Sequence, residues 1–246
     1  MSSVVKVALG AVIVALGMVG AAALTSNLFV RVRQEQAITV KGYAEQNLVS
    51  DVGQCRCVLR TRGASLQEAA LQLEVARRSV LATLERMGFP AGAWRADPMG
   101  SVRIARRDAQ GKETNAIEFY DASQALWVTS TNVALIRDLP AGLAELIKGG
   151  LDLDVGAPEF TVSDLKDVKI ELLGRATEDG YRRALTLAGR SGGRVGALIA
   201  AQQGVFQITG RHSTEVSDYG QYDTATIEKT AKAVVRLQYA IEARER

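Results

Sequence analysis

The sequence predicts an α+β fold: antiparallel sheets with three long helices packed on one face, preceded by an N-terminal transmembrane helix. Three observations carry that prediction. Several long stretches alternate apolar and polar residues, the period of a half-buried strand. Beyond residue 36, only three stretches place apolar residues at every third or fourth position, the period of an amphipathic helix. The run from Val7 to Val30 contains no charged residue. Long strands with few helices, and without regular strand–helix alternation, fit helices laid on antiparallel sheets better than a parallel wound sheet.

The chain divides into residues 1–35, a membrane anchor with its juxtamembrane segment, and residues 36–246, the folded body. A helix of about 20 residues spans the hydrocarbon layer. Val7, Leu9, Val12, Ile13, Leu16, Val19 and Leu24 supply the apolar surface of such an anchor, and Gly10, Gly17 and Gly20 keep it thin enough for close packing in lipid. The competing reading is a cleaved signal peptide, since Ala21-Ala22-Ala23 offers small residues to a peptidase. Length favours retention, because a signal h-region runs only about 7–15 residues. Lys6 on one side faces Arg31 and Arg33 on the other, so charge barely decides orientation.

The body opens with Ile38, Val40, Gly42 and Ala44 alternating with Thr39, Lys41, Tyr43 and Glu45, a strand. Asn47 is expected in a turn, with Val49 to Arg62 as the antiparallel partner, its Cys55, Cys57 and Leu59 sharing the inward side. Ser65-Leu66-Gln67-Glu68 is a capping box for a helix whose stripe is Leu66, Ala69, Leu73, Ala76, Val80, Leu84 and Met87, stopped by Gly88 and Pro90. Two strands follow, Val102 to Arg107 and Ala116 to Ser130, joined by a polar turn at Asp108-Ala109-Gln110-Gly111. Thr131 or Asn132 caps the second helix, striped by Val133, Ile136, Leu143, Leu146 and Ile147 and kinked or restarted at Pro140. A short strand is expected near Leu151 to Phe160. The third helix is capped by Ser163, with Asp164 favouring the positive end of its dipole, and carries Leu165, Val168, Leu172, Ala176, Ala184 and Leu187, until Gly192-Gly193 break it. Val195 to Ile208 reads as one apolar strand, residues 212–226 as a structured polar loop, and Ala233 to Ile241 as the last alternating strand.

Composition removes several function classes. With 23% charged and 47% apolar residues, the chain is neither disordered nor polytopic in a membrane. A net charge of +3 is too slight for nucleic acid, and the one tight basic cluster, Arg103, Arg106 and Arg107, reads as a solvated strand face and turn. The lone histidine, His212, disposes of most metal-site and acid–base designs. Gly189-Arg190-Ser191-Gly192-Gly193 matches G-x-S-x-G, yet it ends a helix where a nucleophile elbow must follow a strand. Cys55 and Cys57 are a possible thiol pair, but C-x-C alone lacks the ligands of a zinc site. Same-side strand neighbours stand about 6.5–7 Å apart, at the edge of disulfide reach. Buried small hydrophobes are the plainer role. Tyr219, Gln221 and Tyr222 form a possible loop contact site, and the acidic Glu215, Asp218 and Asp223 around them do not fit an EF-hand. No cofactor motif is present.

Several of these stretches together resemble one family. They are Ile38-Thr39-Val40-Lys41-Gly42-Tyr43-Ala44-Glu45 with Asp51, Phe119-Tyr120-Asp121-Ala122-Ser123, and Gly204-Val205-Phe206-Gln207-Ile208-Thr209. To these add Ser213-Thr214-Glu215-Val216-Ser217-Asp218-Tyr219-Gly220, then Tyr222-Asp223-Thr224 and Ile227-Glu228-Lys229. From about Gln36 to Glu242 the chain resembles the SIMPL-domain family of bacterial envelope proteins. The resemblance implies a periplasm-facing α+β domain that assembles into homo-oligomeric rings, with stacked, channel-like particles known in the family. It implies no established enzyme activity and loose links to envelope integrity and oxidative stress. It supplies no catalytic residues to carry over, and the Cys55/Cys57 pair is not part of its pattern. The expectation is therefore a single-pass protein of the bacterial inner membrane, less readily a secreted periplasmic one. Its partners would be copies of itself and the bilayer, with no nucleic acid, no cofactor and no metal, and any small-molecule ligand left open. Two rivals remain: a binding module working through the Tyr219–Tyr222 loop without ring assembly, and an enzyme using Ser191 or the cysteines.

Overall fold

The computed structural model describes residues 37–213 and 220–243. The expected N-terminal anchor and Tyr219 lie outside them. Among the described residues no helix is long and apolar enough to cross a membrane. Among the described residues the fold is mixed α/β, with antiparallel sheets and three helices. In chain order its elements are β1 Ala37–Val49, β2 Val52–Gly63, α1 Leu66–Arg86, β3 Trp94–Ala96, β4 Gly100–Arg107, β5 Glu113–Ser130, α2 Val133–Lys148, β6 Leu153–Val155, β7 Glu159–Thr161, α3 Lys166–Arg190, β8 Gly193–Gln203, β9 Gln207–Gly210 and β10 Glu228–Ala243. They divide into two compact units.

Of the described residues, the first unit comprises 37–44, Ile170–Val205 and 233–243. Its strands run in the order β1–β10–β8. In β10 and β8, Val235 lies opposite Gln203, Leu237 opposite Ala201, Tyr239 opposite Leu198 and Ile241 opposite Val195, with a register shift on each side of Tyr239. Helix α3 lies on this sheet through Leu172, Ala176, Gly180, Ala184 and Ala188, spaced four apart. The contact is so close that a Cβ on Gly42 of β1 would stand 2.0 Å from the carbonyl oxygen of Ala176. Leu187, expected in the stripe, is instead 51% exposed. A row advancing by four residues brings Ala188 inward and leaves Leu187 on the flank.

The second unit comprises Glu45–Lys169 and Phe206–Lys232. Its sheet has the order β3–β5–β2–β6, with β4 also on β5 and β7 also on β2. Helices α1 and α2 enclose the core against this sheet: Cys55, Cys57, Leu59, Leu126 and Val128 meet Leu73, Val80 and Leu84 of α1 and Ile136, Leu139 and Leu143 of α2. Ser65 caps α1 by accepting from the Glu68 N–H at 3.1 Å, while the Glu68 carboxylate reaches back to the Ala64 N–H at 2.9 Å, one residue earlier than the usual box. Gly88 ends the turn at φ +88°, a conformation open to glycine. Asn132 caps α2, which runs through Pro140 unbroken in assignment.

Four expectations are corrected. The first two strands do not form a hairpin: β1 pairs with β10, and β2 pairs with β5 along its whole length. Asn47 lies within β1 and accepts from the Thr230 hydroxyl at 3.2 Å. The chain turns at Ser50-Asp51, where the Ser50 N–H goes to Ile227 O at 2.9 Å and the Asp51 carboxylate takes the Ser163 N–H at 2.8 Å. Alternation identifies strands but says nothing of their partners. The helices, second, do not share one face: α1 and α2 cover the six-stranded sheet and α3 the strands of the first unit. Third, the apolar run Val195 to Ile208 and the stretch Leu151 to Phe160 each split into two strands. Fourth, Ser163 is engaged by Asp51, so Asp164 caps α3, accepting from the Lys166 N–H at 2.9 Å.

Candidate functional site

Strand β2 carries Cys55 and Cys57 into the core of the second unit, 1% and 0% exposed, opposite Val128 and Leu126 of β5. Both thiols are free. The Cys55 thiol donates to Gly156 O at 3.3 Å. Cys57 is pushed well up, first by its hydrogen bond with Cys55 and then by burial. A buried thiol held protonated is a poor nucleophile and a poor metal ligand. Among the described residues no group of three or more His, Cys, Asp or Glu side chains stands where it would hold a metal. The G-x-S-x-G segment is a helix stop, with the Ser191 hydroxyl donating to Leu187 O at 2.8 Å and Gly192 at φ +81°.

The expected contact loop is knotted to the second unit. The Ile208 N–H donates to Gln221 O at 2.7 Å, and the Tyr222 hydroxyl accepts from the Val162 N–H at 3.2 Å. Next in sequence, the Asp223 carboxylate takes the Ala225 N–H at 2.9 Å, the Thr226 hydroxyl, and the ammonium of Lys229 at 3.1 Å. The Lys229 side chain is 0% exposed. Burial alone would raise the Asp223 carboxyl, but hydrogen bonds from Thr226, Ala225 and Lys229 outweigh it and hold the group below the ordinary carboxylate range. Lys229 was legible in principle, since it shares the inward parity of Ala231, Ala233, Val235 and Leu237 on β10.

Two surfaces of the second unit remain accessible. One is an open cleft of about 970 Å³, where Leu71 and Val75 of α1 and Val102 and Ile104 of β4 contribute apolar walls and Arg60 and Arg62 polar ones. The other is the outward side of β2 and β5. There the Arg62 guanidinium lies 3.8 Å from the Phe119 ring centre and 2.9 Å from Asp121. Trp127 sits near Arg56 and Arg95, at 5.7 and 5.0 Å, and its indole N–H donates to Asp97 at 3.0 Å. Arg60 stands 3.8 and 3.7 Å from Asp152 and Asp154. Arginines and aspartates are matched here, so this side offers no net charge to an anion. Arg103, Arg106 and Arg107 are exposed along β4.

In the first unit the two flanks of α3 differ. Toward β1, Asp179 accepts from the backbone N–H of Tyr43 at 2.9 Å and from Arg183 at 2.7 Å. The Tyr43 hydrogen bond is the leading reason why the Asp179 carboxyl lies below its ordinary range. With Lys41, Arg182 and Thr186 this flank is mostly polar, Leu187 excepted. On the opposite flank the Tyr181 ring meets that of Tyr239 of β10 at 5.7 Å, and Tyr181 and Leu185 are exposed, as are Leu198 and Ile199 of β8. Leu198 is half exposed, at 50%. Outside its pairing with β10, β8 has no strand partner among the described residues.

Comparison with known proteins gives one broad match. The family described as "SIMPL: Protein of unknown function (DUF541)" matches residues 38–242. No curated protein matches. Among solved structures, an amidase of the hydantoinase/carbamoylase family from Burkholderia phymatum is similar at TM-score 0.27 and 13% identity, covering 50% of this chain and 30% of that one. A hydrolase from Listeria innocua is similar at TM-score 0.20 and 9% identity, covering 80% of this chain and 91% of that one. Likeness at these scores carries no inference about activity.

Proposed function

This chain belongs to the SIMPL family, and from that premise we propose a non-enzymatic envelope protein, membrane-anchored through residues 1–35, whose body assembles with copies of itself. The assembly is a ring or channel-like particle facing the bacterial periplasm, with a structural or stress-protective role. One observation supports it most: the first unit leaves Tyr181 and Leu185 of α3 and Leu198 and Ile199 of β8 exposed, and among the described residues β8 pairs with β10 alone. Grouped apolar side chains of this size mark an interaction surface more often than an idle one. The buried thiols and the helix-stopping Ser191 lend nothing to a reaction centre.

The mass of the full-length protein in mild detergent, by size exclusion with light scattering, tests this. A single species of many subunits is expected; a mass of one 26.3 kDa chain plus micelle overturns it. The cleft beside Leu71 and Val102 supports a second reading, a binding module for an apolar ligand. Tyr222 supports it less, its hydroxyl being held by Val162. On that reading Val75→Arg abolishes uptake of a fluorescent apolar probe while the mass stays unchanged.

A further inference from the structure

We propose that the β8 flank of the first unit is where two copies of this chain meet. Strand β8 pairs antiparallel with β8 of a second copy about a two-fold axis, and the Tyr181–Leu185 flanks of the two α3 helices close over the joint. This rests on the self-assembly reading and names one of its surfaces: a two-fold contact closes at two copies, so it joins pairs within the particle and the ring itself is closed by a second surface.

The two edges of the β1–β10–β8 arrangement are treated differently. Exposed edges are ordinarily blunted by charge, proline or a blocking group, because their free N–H and C=O groups invite another strand. Edge β1 is blunted: Asp179 occupies the Tyr43 N–H, and Lys41, Arg182 and Arg183 stand beside it. Edge β8 carries no charge and no proline from Val195 to Gln203. Its register against β10 shifts around Tyr239, which makes Ala200–Gln203, opposite Val235–Gln238, its regular run. Leu198 and Ile199, at the register shift that ends that run, are both exposed.

A second copy is the occupant that suits these features together. An isologous contact sets a surface against itself, so apolar meets apolar and amide edge meets amide edge. Antiparallel self-pairing over Ala200–Gln203 brings only methyl and carboxamide side chains face to face. Arg194, at one end of β8, is thereby set toward the glutamine end of the other strand and away from its own equivalent. Like charges directly opposite one another destabilise a strand pair, and this arrangement avoids them. Pairing β8 with β1 of a neighbour would instead place an apolar strand beside Lys41, Arg182 and Arg183 and displace Asp179.

The test uses full-length protein in mild detergent. Gln202→Cys, treated with a short bis-maleimide, is expected to give a covalent dimer. Thr186→Cys on the β1 flank, and the wild-type chain with its two buried cysteines, are expected to give none. Leu198→Lys and Leu185→Lys are each expected to lower the mass of the particle at least twofold with the circular dichroism spectrum unchanged. The crosslinking variant changes no apolar residue and stays readable if the lysine variants fold poorly. A wild-type monomer overturns the self-assembly reading itself. A wild-type oligomer with no crosslink at position 202 and no mass change in Leu198→Lys overturns this surface and leaves that reading standing.

Discussion

The two units seat helices on antiparallel strands with opposite kinds of residue. In the second unit the contact is made by large side chains, Leu59 and Leu126 on the sheet against Leu73, Val80 and Leu84 on α1. In the first it is made by small ones, Gly42 beneath Ala176 and Gly180, with Ala184 and Ala188 further along. Leu172, Leu237 and Tyr239 are buried in the same unit, while Tyr181, Leu185, Leu198 and Ile199 are exposed. Both units leave large apolar side chains exposed, Leu71, Val75 and Val102 in the second and Leu185 and Leu198 in the first, so they differ in how the helix is seated and not in how polar their surfaces are.

Substitutions can break this comparison, and the largest effect is expected at the ion pair inside the second unit. Asp223→Ala removes the carboxylate from the fully buried ammonium of Lys229 and leaves it the backbone carbonyl of residue 223. Removing one partner of a buried pair costs about 3–5 kcal/mol, and urea unfolding reads it directly. A loss below about 1 kcal/mol would mean that water already solvates Lys229. Next, Leu126→Ala empties a site that is 0% exposed, for which about 3 kcal/mol is expected from lost transfer energy and the remaining cavity. In the first unit the corresponding experiment adds an atom. Gly42→Ala places a Cβ 2.0 Å from the Ala176 carbonyl oxygen and 2.6 Å from the Gly180 nitrogen, so α3 must lift. Overpacking of this kind costs about 2 kcal/mol, and hydrogen exchange along α3 should quicken. A neutral Gly42→Ala would mean that α3 is not seated on backbone, and the contrast between the units would fall.

The sequence announced the elements better than their partnerships. Helix α1 was legible, apart from the exposed Leu66 expected in its stripe, because its capping box, the rest of its stripe and Gly88 are local signals that need no distant residue. The inward parity of Cys55, Cys57 and Leu59 was legible for the same reason. The pairing of β1 was not, because the bonds that turn the chain at Ser50-Asp51 come from Ile227 and Ser163, far away in sequence. The Leu187 misreading came from treating a helix over glycine like a helix over leucine. At the candidate site, the thiols, the helix-stopping Ser191 and the loop were visible as residues. The buried Lys229 was overlooked because a lysine opening an apolar strand reads as a solvated end, and only Asp223 explains its depth. The unblocked β8 edge required knowing which strands remain unpaired, a property of topology that no local pattern carries.

The smallest expected effect sharpens the difference between the two edges of the first unit. Asp179 blocks β1 with a carboxylate that accepts the Tyr43 N–H and meets Arg183. Its folded pKa is depressed, chiefly by the Tyr43 hydrogen bond. The stabilisation it supplies is therefore present above the unfolded value of about 3.9 and is lost as pH falls through the lower folded value. Asp179→Asn keeps an oxygen for the Tyr43 N–H and removes only the charge. Because the pair is partly in solvent, the expected cost at neutral pH is below about 1 kcal/mol. Melting curves of the two proteins should differ at neutral pH and converge in acid, below the depressed folded pKa of Asp179. A difference that persists in acid would show that Asp179 guards the β1 edge by its shape. Convergence would show a guard that depends on charge, so that acid would leave β1 as open as β8.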